Sequence, residues 1–159
     1  MTDSRQWMLS PKRVRVLLGG HTVADSDRVM LEHGGGRPPL YWFPPDDVDR
    51  NALLDGGAEG RSIPVWDVET PGHRAVRAAY AGAQGYIGFV WERMDSWLEE
   101  DEEVFVHPRD PFVRVDVLRS SRHIRVKALG EVIAETHRPA LLFETGLPTR
   151  FYMPLTDKR

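Results

Sequence analysis

Arg28 and Arg138 sit at equivalent places in two related stretches of the chain, and each is followed by an aromatic pair, Tyr41-Trp42 or Phe151-Tyr152. Glu144 and Arg150 flank the second pair. A planar guanidinium fork beside aromatic faces suits a cleft that holds a small polar or anionic ligand. The same residues have a plainer use. The arginines could pair with nearby carboxylates while the aromatics fill the core.

Other groups carry less. His107-Pro108-Arg109-Asp110-Pro111 places an imidazole, a guanidinium and a carboxylate together, as an acid–base cluster would. Its prolines also fit a rigid turn in which Asp110 bonds backbone or Arg109. Asp25-x-Asp27 follows Gly19-Gly20, as paired carboxylates follow a glycine turn in nucleotidyltransferases. The spacing here is too short, and the second stretch has Glu135 and His137 instead, so a turn and strand end is expected. Gly34-Gly35-Gly36-Arg37 lacks the lysine and the following helix of a phosphate loop and reads as an ordinary loop. No histidine spacing matches a known metal motif, no nucleophile elbow occurs, and no cofactor is expected.

Composition narrows the classes. The 159 residues are 41% hydrophobic and 28% charged, with a net charge of −3. That is ordinary for one globular domain or two small ones. No basic surplus points to nucleic acid. There is no cysteine, hence no disulfide, thiol nucleophile or cysteine-ligated zinc. Residues 1–11 contain no signal-like apolar run, and no stretch approaches a membrane span of about 20 apolar residues. A cytoplasmic protein without membrane contact is the expectation.

These side chains must be positioned by a repeat. Residues 14–47 align with 124–157 at a constant offset and without a gap. Identical pairs include Arg15/Arg125, Gly20/Gly130, Arg28/Arg138, Leu31/Leu141 and Asp47/Asp157. Both copies alternate polar and apolar residues before a glycine turn (Arg13–Val16, His123–Val126) and so read as hairpins. A third strand is expected over Val29–Glu32 and Ala140–Glu144, then an aromatic strand ended by Pro44 or Pro154. Between the copies, 51–62 reads as loop and Pro64–Glu69 and Ala75–Tyr80 as strands. Tyr86–Trp91 could open a strand or a helix. Trp91, Met94, Trp97 and Leu98 recur at helical spacing, which predicts a short helix over 90–99. The acidic run Glu99–Glu103 reads as a solvated face, and Val104–Val106 and Val113–Val117 as strands.

The pattern Pro-Pro-Leu-Tyr-Trp-Phe-Pro-Pro-Asp-Asp-Val over 38–48, with the Val-Arg-Val and Gly-Gly before it, resembles the domain-of-unknown-function 427 family. Glu144-Thr145-Gly146-Leu147-Pro148 and Phe151-Tyr152 resemble it again, and 85–126 looks like the joint of two-copy members. The resemblance implies a mainly antiparallel β-fold of the tent-like, Mss4-like type, and a nucleotidyltransferase label is attached to the family without a characterised activity. The family unit usually continues into Thr-x-Cys-x-Tyr-Lys-Gly. Residues 49–62 hold neither Cys nor Lys, and the second copy stops short of the motif.

The expected protein is therefore mainly β, an antiparallel sheet with one short helix. Residues 1–13 form an arm, 14–92 a first β unit, 93–123 a connector, and 124–159 a partial second unit packed on the first or on a partner chain. The first functional expectation is a non-enzymatic module that binds a small ligand or a protein through Arg28, Tyr41, Trp42, His107, Arg138, Glu144, Arg150 and Tyr152. Its rival is a nucleotidyltransferase- or hydrolase-like enzyme using Glu144, His107 or Asp110. A homodimer that completes the sheet is a third possibility.

Overall fold

The computed structural model of the chain describes residues 4–56 and 63–158. They form two compact units, one of residues 1–99 and 103–109, the other of 100–102 and 110–159. Among the described residues no helix is long and apolar enough to cross a membrane.

The arm contributes a strand, β1 (Gln6–Leu9), to unit one. Next come β2 (Val14–Leu18) and β3 (His21–Ser26), which form a hairpin. Gly19 and Gly20 close it at φ +59° and +76°. Such angles suit glycine, which has no Cβ to clash. Val14, Val16 and Leu18 alternate inward along β2, as the period of a half-buried strand requires. Then follow β4 (Met30–His33), the aromatic β5 (Leu40–Phe43), β6 (Leu53–Asp55), β7 (Val65–Thr70), β8 (His73–Ala81), β9 (Ile87–Phe89), β10 (Ser96–Glu99) and β11 (Glu102–Glu103). One sheet has seven strands in the order β1-β4-β5-β9-β8-β7-β6; the other runs β11-β10-β2-β3. The pairings of the seven-stranded sheet, and those of β10 with β2 and β2 with β3, are antiparallel. Val14, Val16 and Val23 share one apolar core with Leu31, Tyr41, Phe43, Ile87, Phe89 and Trp97.

Unit two has β12 (Val115–Arg119), β13 (Ile124–Ala128), β14 (Glu131–Thr136), β15 (Ala140–Glu144) and β16 (Arg150–Tyr152). They make a three-stranded sheet, β12-β15-β16, and a hairpin, β13-β14. The arrangement repeats β1-β4-β5 and β2-β3. Both hairpins slip register at one place, between Val16 and Leu17 and between Val126 and Lys127.

The structural repeat begins earlier than the alignable sequence. Leu9 faces Met30 in β1–β4, and Arg119 faces Ala140 in β12–β15, each pair at the offset that relates the two copies. Ser10 Oγ accepts from the Lys12 backbone N–H at 3.2 Å, and Ser120 Oγ from that of Arg122 at 3.2 Å. The acidic run serves the same position in both copies. Glu99 pairs with the Lys12 ammonium in unit one, and Glu100 with the Arg122 guanidinium in unit two.

Several expectations need correction. The helix over 90–99 is absent: Trp91–Arg93 is a single 3₁₀ turn and Ser96–Glu99 is a strand. Trp91 and Trp97 stack with centroids 4.3 Å apart, so their spacing serves a ring contact and not a helical face. Val104–Val106 forms no strand, and Leu53–Asp55 is a strand where loop was expected; residues 57–62 of that loop lie outside the described ones. The acidic run is not wholly solvated, since Glu99 and Glu100 are buried.

Candidate functional site

The duplicated arginines are structural clasps. In unit one Arg28 bonds Asp47 at 2.6 Å, and Ser26 Oγ donates to the same carboxylate at 2.6 Å. In unit two Arg138 bonds Asp157 at 2.9 Å and Thr136 Oγ1 donates to it at 2.6 Å. Each clasp ties the strand before the arginine to the 3₁₀ turn after the aromatic strand. Partial burial works to raise the Asp47 pKa, but hydrogen bonds from Ser26 and Arg28 outweigh it and hold the carboxyl below its usual value. The hydrogen bond from Arg138, then that from Thr136, hold Asp157 far below the usual carboxylate range.

The aromatic candidates divide. Tyr41 is a core residue whose hydroxyl donates to Glu99 Oε1 at 2.7 Å, beside the buried Lys12–Glu99 pair. Trp42 is also buried, and its Nε1–H donates to Glu32 Oε2 at 2.9 Å. Its ring stacks on Trp7 (5.3 Å, 20°) and meets Tyr80 edge-on (5.2 Å, 83°). Glycine makes this close packing possible: a Cβ on Gly82 would lie 2.3 Å from the Trp42 ring. In unit two Tyr152 is exposed, and Glu144 and Arg150 form an ion pair across β15 and β16.

Of the candidates, His107 lines a cavity. This cleft of about 400 Å³ lies wholly in unit one. Its apolar wall includes Pro38, Leu40, Tyr80, Phe89 and Trp91, while Arg5, Arg37, Glu92 and His107 supply polar groups. The volume falls within the range of small-molecule sites. β5, β8 and β9 position the wall because Leu40, Tyr80 and Phe89 sit on neighbouring strands of one sheet. Arg5 is anchored to the buried Glu32 at 2.8 Å, the carboxylate that also holds Trp42. Nδ1 of His107 lies 2.7 Å from the Pro108 carbonyl oxygen, so it must be the donor. A neutral ring then offers Nε2 as an acceptor. Burial, followed by the Glu32 charge, raises the Tyr80 pKa above its ordinary value.

Within unit one the structure places Arg28 and Tyr41 in an ion-pair clasp and the core, Trp42 behind the Tyr80 wall, and His107 at the cleft. Of the enzyme candidates, Asp110 caps a turn by accepting from the Phe112 N–H at 2.8 Å. Sequence reasoning missed Arg5, Arg37, Tyr80 and Trp91 as cleft residues. The glycine triplet before Arg37 was the available signal: its residues take φ of +93°, +69° and +66° where the chain turns before the cleft.

These features define a class: a duplicated antiparallel β protein in which, among the described residues, further strands pair with β2 and β5 of the first copy but not with β13 and β16 of the second, and in which the first copy holds a mostly apolar cleft. The chain belongs to the family described as domain of unknown function (DUF427), whose model matches residues 7–100 and 116–159. The second segment begins where β12 repeats β1. No curated protein matches the chain.

Proposed function

We propose that the protein is a non-enzymatic binding module whose unit-one cleft takes a small molecule with a flat apolar body and an anionic group. The cleft lined by Tyr80, Phe89 and Trp91, with Arg5 and Arg37 among its polar residues, carries this reading. The aromatic side chains offer faces and edges to a flat ring system. Arg37, exposed beside the cleft, suits a carboxylate or phosphate in a bidentate hold. His107 Nε2 accepts from a ligand hydroxyl or amine.

Protein-observed 1H–15N NMR of the chain titrated with naphthoate and indole carboxylates tests this. Binders should shift the Trp91 indole resonance. Arg37→Ala should weaken them about tenfold, the scale of one charge-assisted hydrogen bond. Binding that ignores both Arg37→Ala and Trp91→Ala, or no binding at all, removes the reading.

A second reading is association between chains through unit two. The motive is exposure at positions that unit one buries. Val126 is 38% exposed against 0% at Val16, Ile133 45% against 1% at Val23, and Phe151 48% against 4% at Tyr41. Light scattering of the chain distinguishes monomer from dimer.

A further inference from the structure

In unit one, β10 pairs with the outer edge of β2, and β9 pairs with the outer edge of β5. The corresponding strands of unit two, β13 and β16, are edge strands among the described residues, because its sheets are β12-β15-β16 and β13-β14. Among the described residues the β1–β5 arrangement thus occurs twice, and the strands that cover its β2 and β5 edges, β10 and β9, occur once. Exchanging covering strands between two chains leaves the same excess, so a swapped dimer completes nothing. Two unit-two edges, however, can cover each other.

Charge decides which edge. About a two-fold axis perpendicular to the sheet, β13 against its own copy would oppose Arg125 with Lys127, or Arg125 and Lys127 each with itself. Like charges directly opposite destabilise a pair. Centred on Phe151, β16 against its copy opposes Phe151 with Phe151 and Arg150 with Tyr152, an aromatic pair flanked by two cation–aromatic contacts. Phe151 and Tyr152 are both exposed on this edge. An exposed edge strand with apolar aromatic side chains is a template for such pairing.

We propose that β16 is the seam of a homodimer, paired antiparallel with β16 of a second copy about Phe151, giving a continuous sheet β12-β15-β16-β16-β15-β12. The proposal rests on the association reading above and adds its strand, register and central residue. Facing Cα atoms in an antiparallel pair lie about 4.5–5.5 Å apart, within disulfide reach. The chain has no cysteine, so a single introduced one reports cleanly.

The experiment is mild oxidation of the full chain carrying Phe151→Cys, Val126→Cys on β13 or Leu129→Cys at the β13–β14 turn, with light scattering of the parent. The expected result is a dimeric parent and a disulfide dimer from Phe151→Cys, with the other two variants slow. Phe151→Arg should keep the parent circular dichroism and weaken dimerisation about thirtyfold, as loss of a central interface aromatic does. Cross-linking of Val126→Cys in place of Phe151→Cys overturns the β16 seam but keeps association through unit two. A parent that is monomeric at NMR concentrations overturns both.

Discussion

Replacing Lys12 with methionine isolates a deeply buried ion pair in unit one. The Lys12 side chain is 0% exposed and its partner carboxylate on Glu99 4% exposed, with the Tyr41 hydroxyl as a further donor at 2.7 Å. Water cannot compensate that carboxylate once the ammonium is gone. Removing one member of a buried ion pair costs about 3–5 kcal/mol, whereas replacing both by apolar groups of similar volume is often neutral. At about 2–4 °C per kcal/mol for a chain of this size, Lys12→Met should lower the Tm by about 6–20 °C. The double variant Lys12→Met/Glu99→Leu should recover most of the loss, although Tyr41 then loses an acceptor. Arg122→Met, at the equivalent position in unit two, should cost less, because the Arg122 side chain is 25% exposed and hydration offsets part of the loss. Far-UV circular dichroism melts of the four proteins, which sample the strands of both units, read these differences. A Lys12→Met variant that melts with the parent, or a double variant worse than either single change, refutes the claim that burial makes this pair expensive to break.

Other perturbations follow from the repeat and the packing. Asp47 and Asp157 titrate lower in the folded chain than the ordinary aspartate value. Their contribution is therefore full above that ordinary value, about 3.9, and fades as pH falls toward the folded values. The Tm gap between the parent and Arg28→Ala or Arg138→Ala should be widest at neutral pH and close in acid; a gap that widens in acid contradicts it. Gly82→Ala sets a methyl against the Trp42 ring. It should destabilise by about 1–3 kcal/mol in a denaturant melt. Leu129 takes a left-handed conformation (φ +50°) at the hairpin position where the first copy has Gly19. Leu129→Gly should relieve about 1 kcal/mol and raise the unfolding midpoint.

Much of the fold was legible because it is written twice. The two hairpins, the third strand and the aromatic strand follow from alternation and glycine turns that recur in the second copy. The β1–β12 equivalence was hidden because strand identity there depends on pairing with β4 and β15, which tolerates Leu9 against Arg119 and Trp7 against Val117. The 90–99 segment misled because Trp91 and Trp97 meet ring to ring from a turn and a strand, a contact that helical spacing imitates. The cleft was nearly illegible. Its residues come from separate stretches of the chain, and only His107 carried a chemical signature of its own. Arg28 and Arg138 drew notice by recurring, yet recurrence reflected the clasp to Asp47 and Asp157 that each copy needs.

The distribution of chromophores has a practical consequence. Trp7, Trp42, Trp66, Trp91 and Trp97 all belong to unit one, while unit two contributes Tyr152 and no indole. Indole emission is therefore a private channel for the first unit, and two stacked pairs make it sensitive to loosening there. Amide signals sample both units. If the two channels lose their signal at different denaturant concentrations, the halves of the duplication melt as separate cooperative bodies; if the curves superimpose, they melt as one.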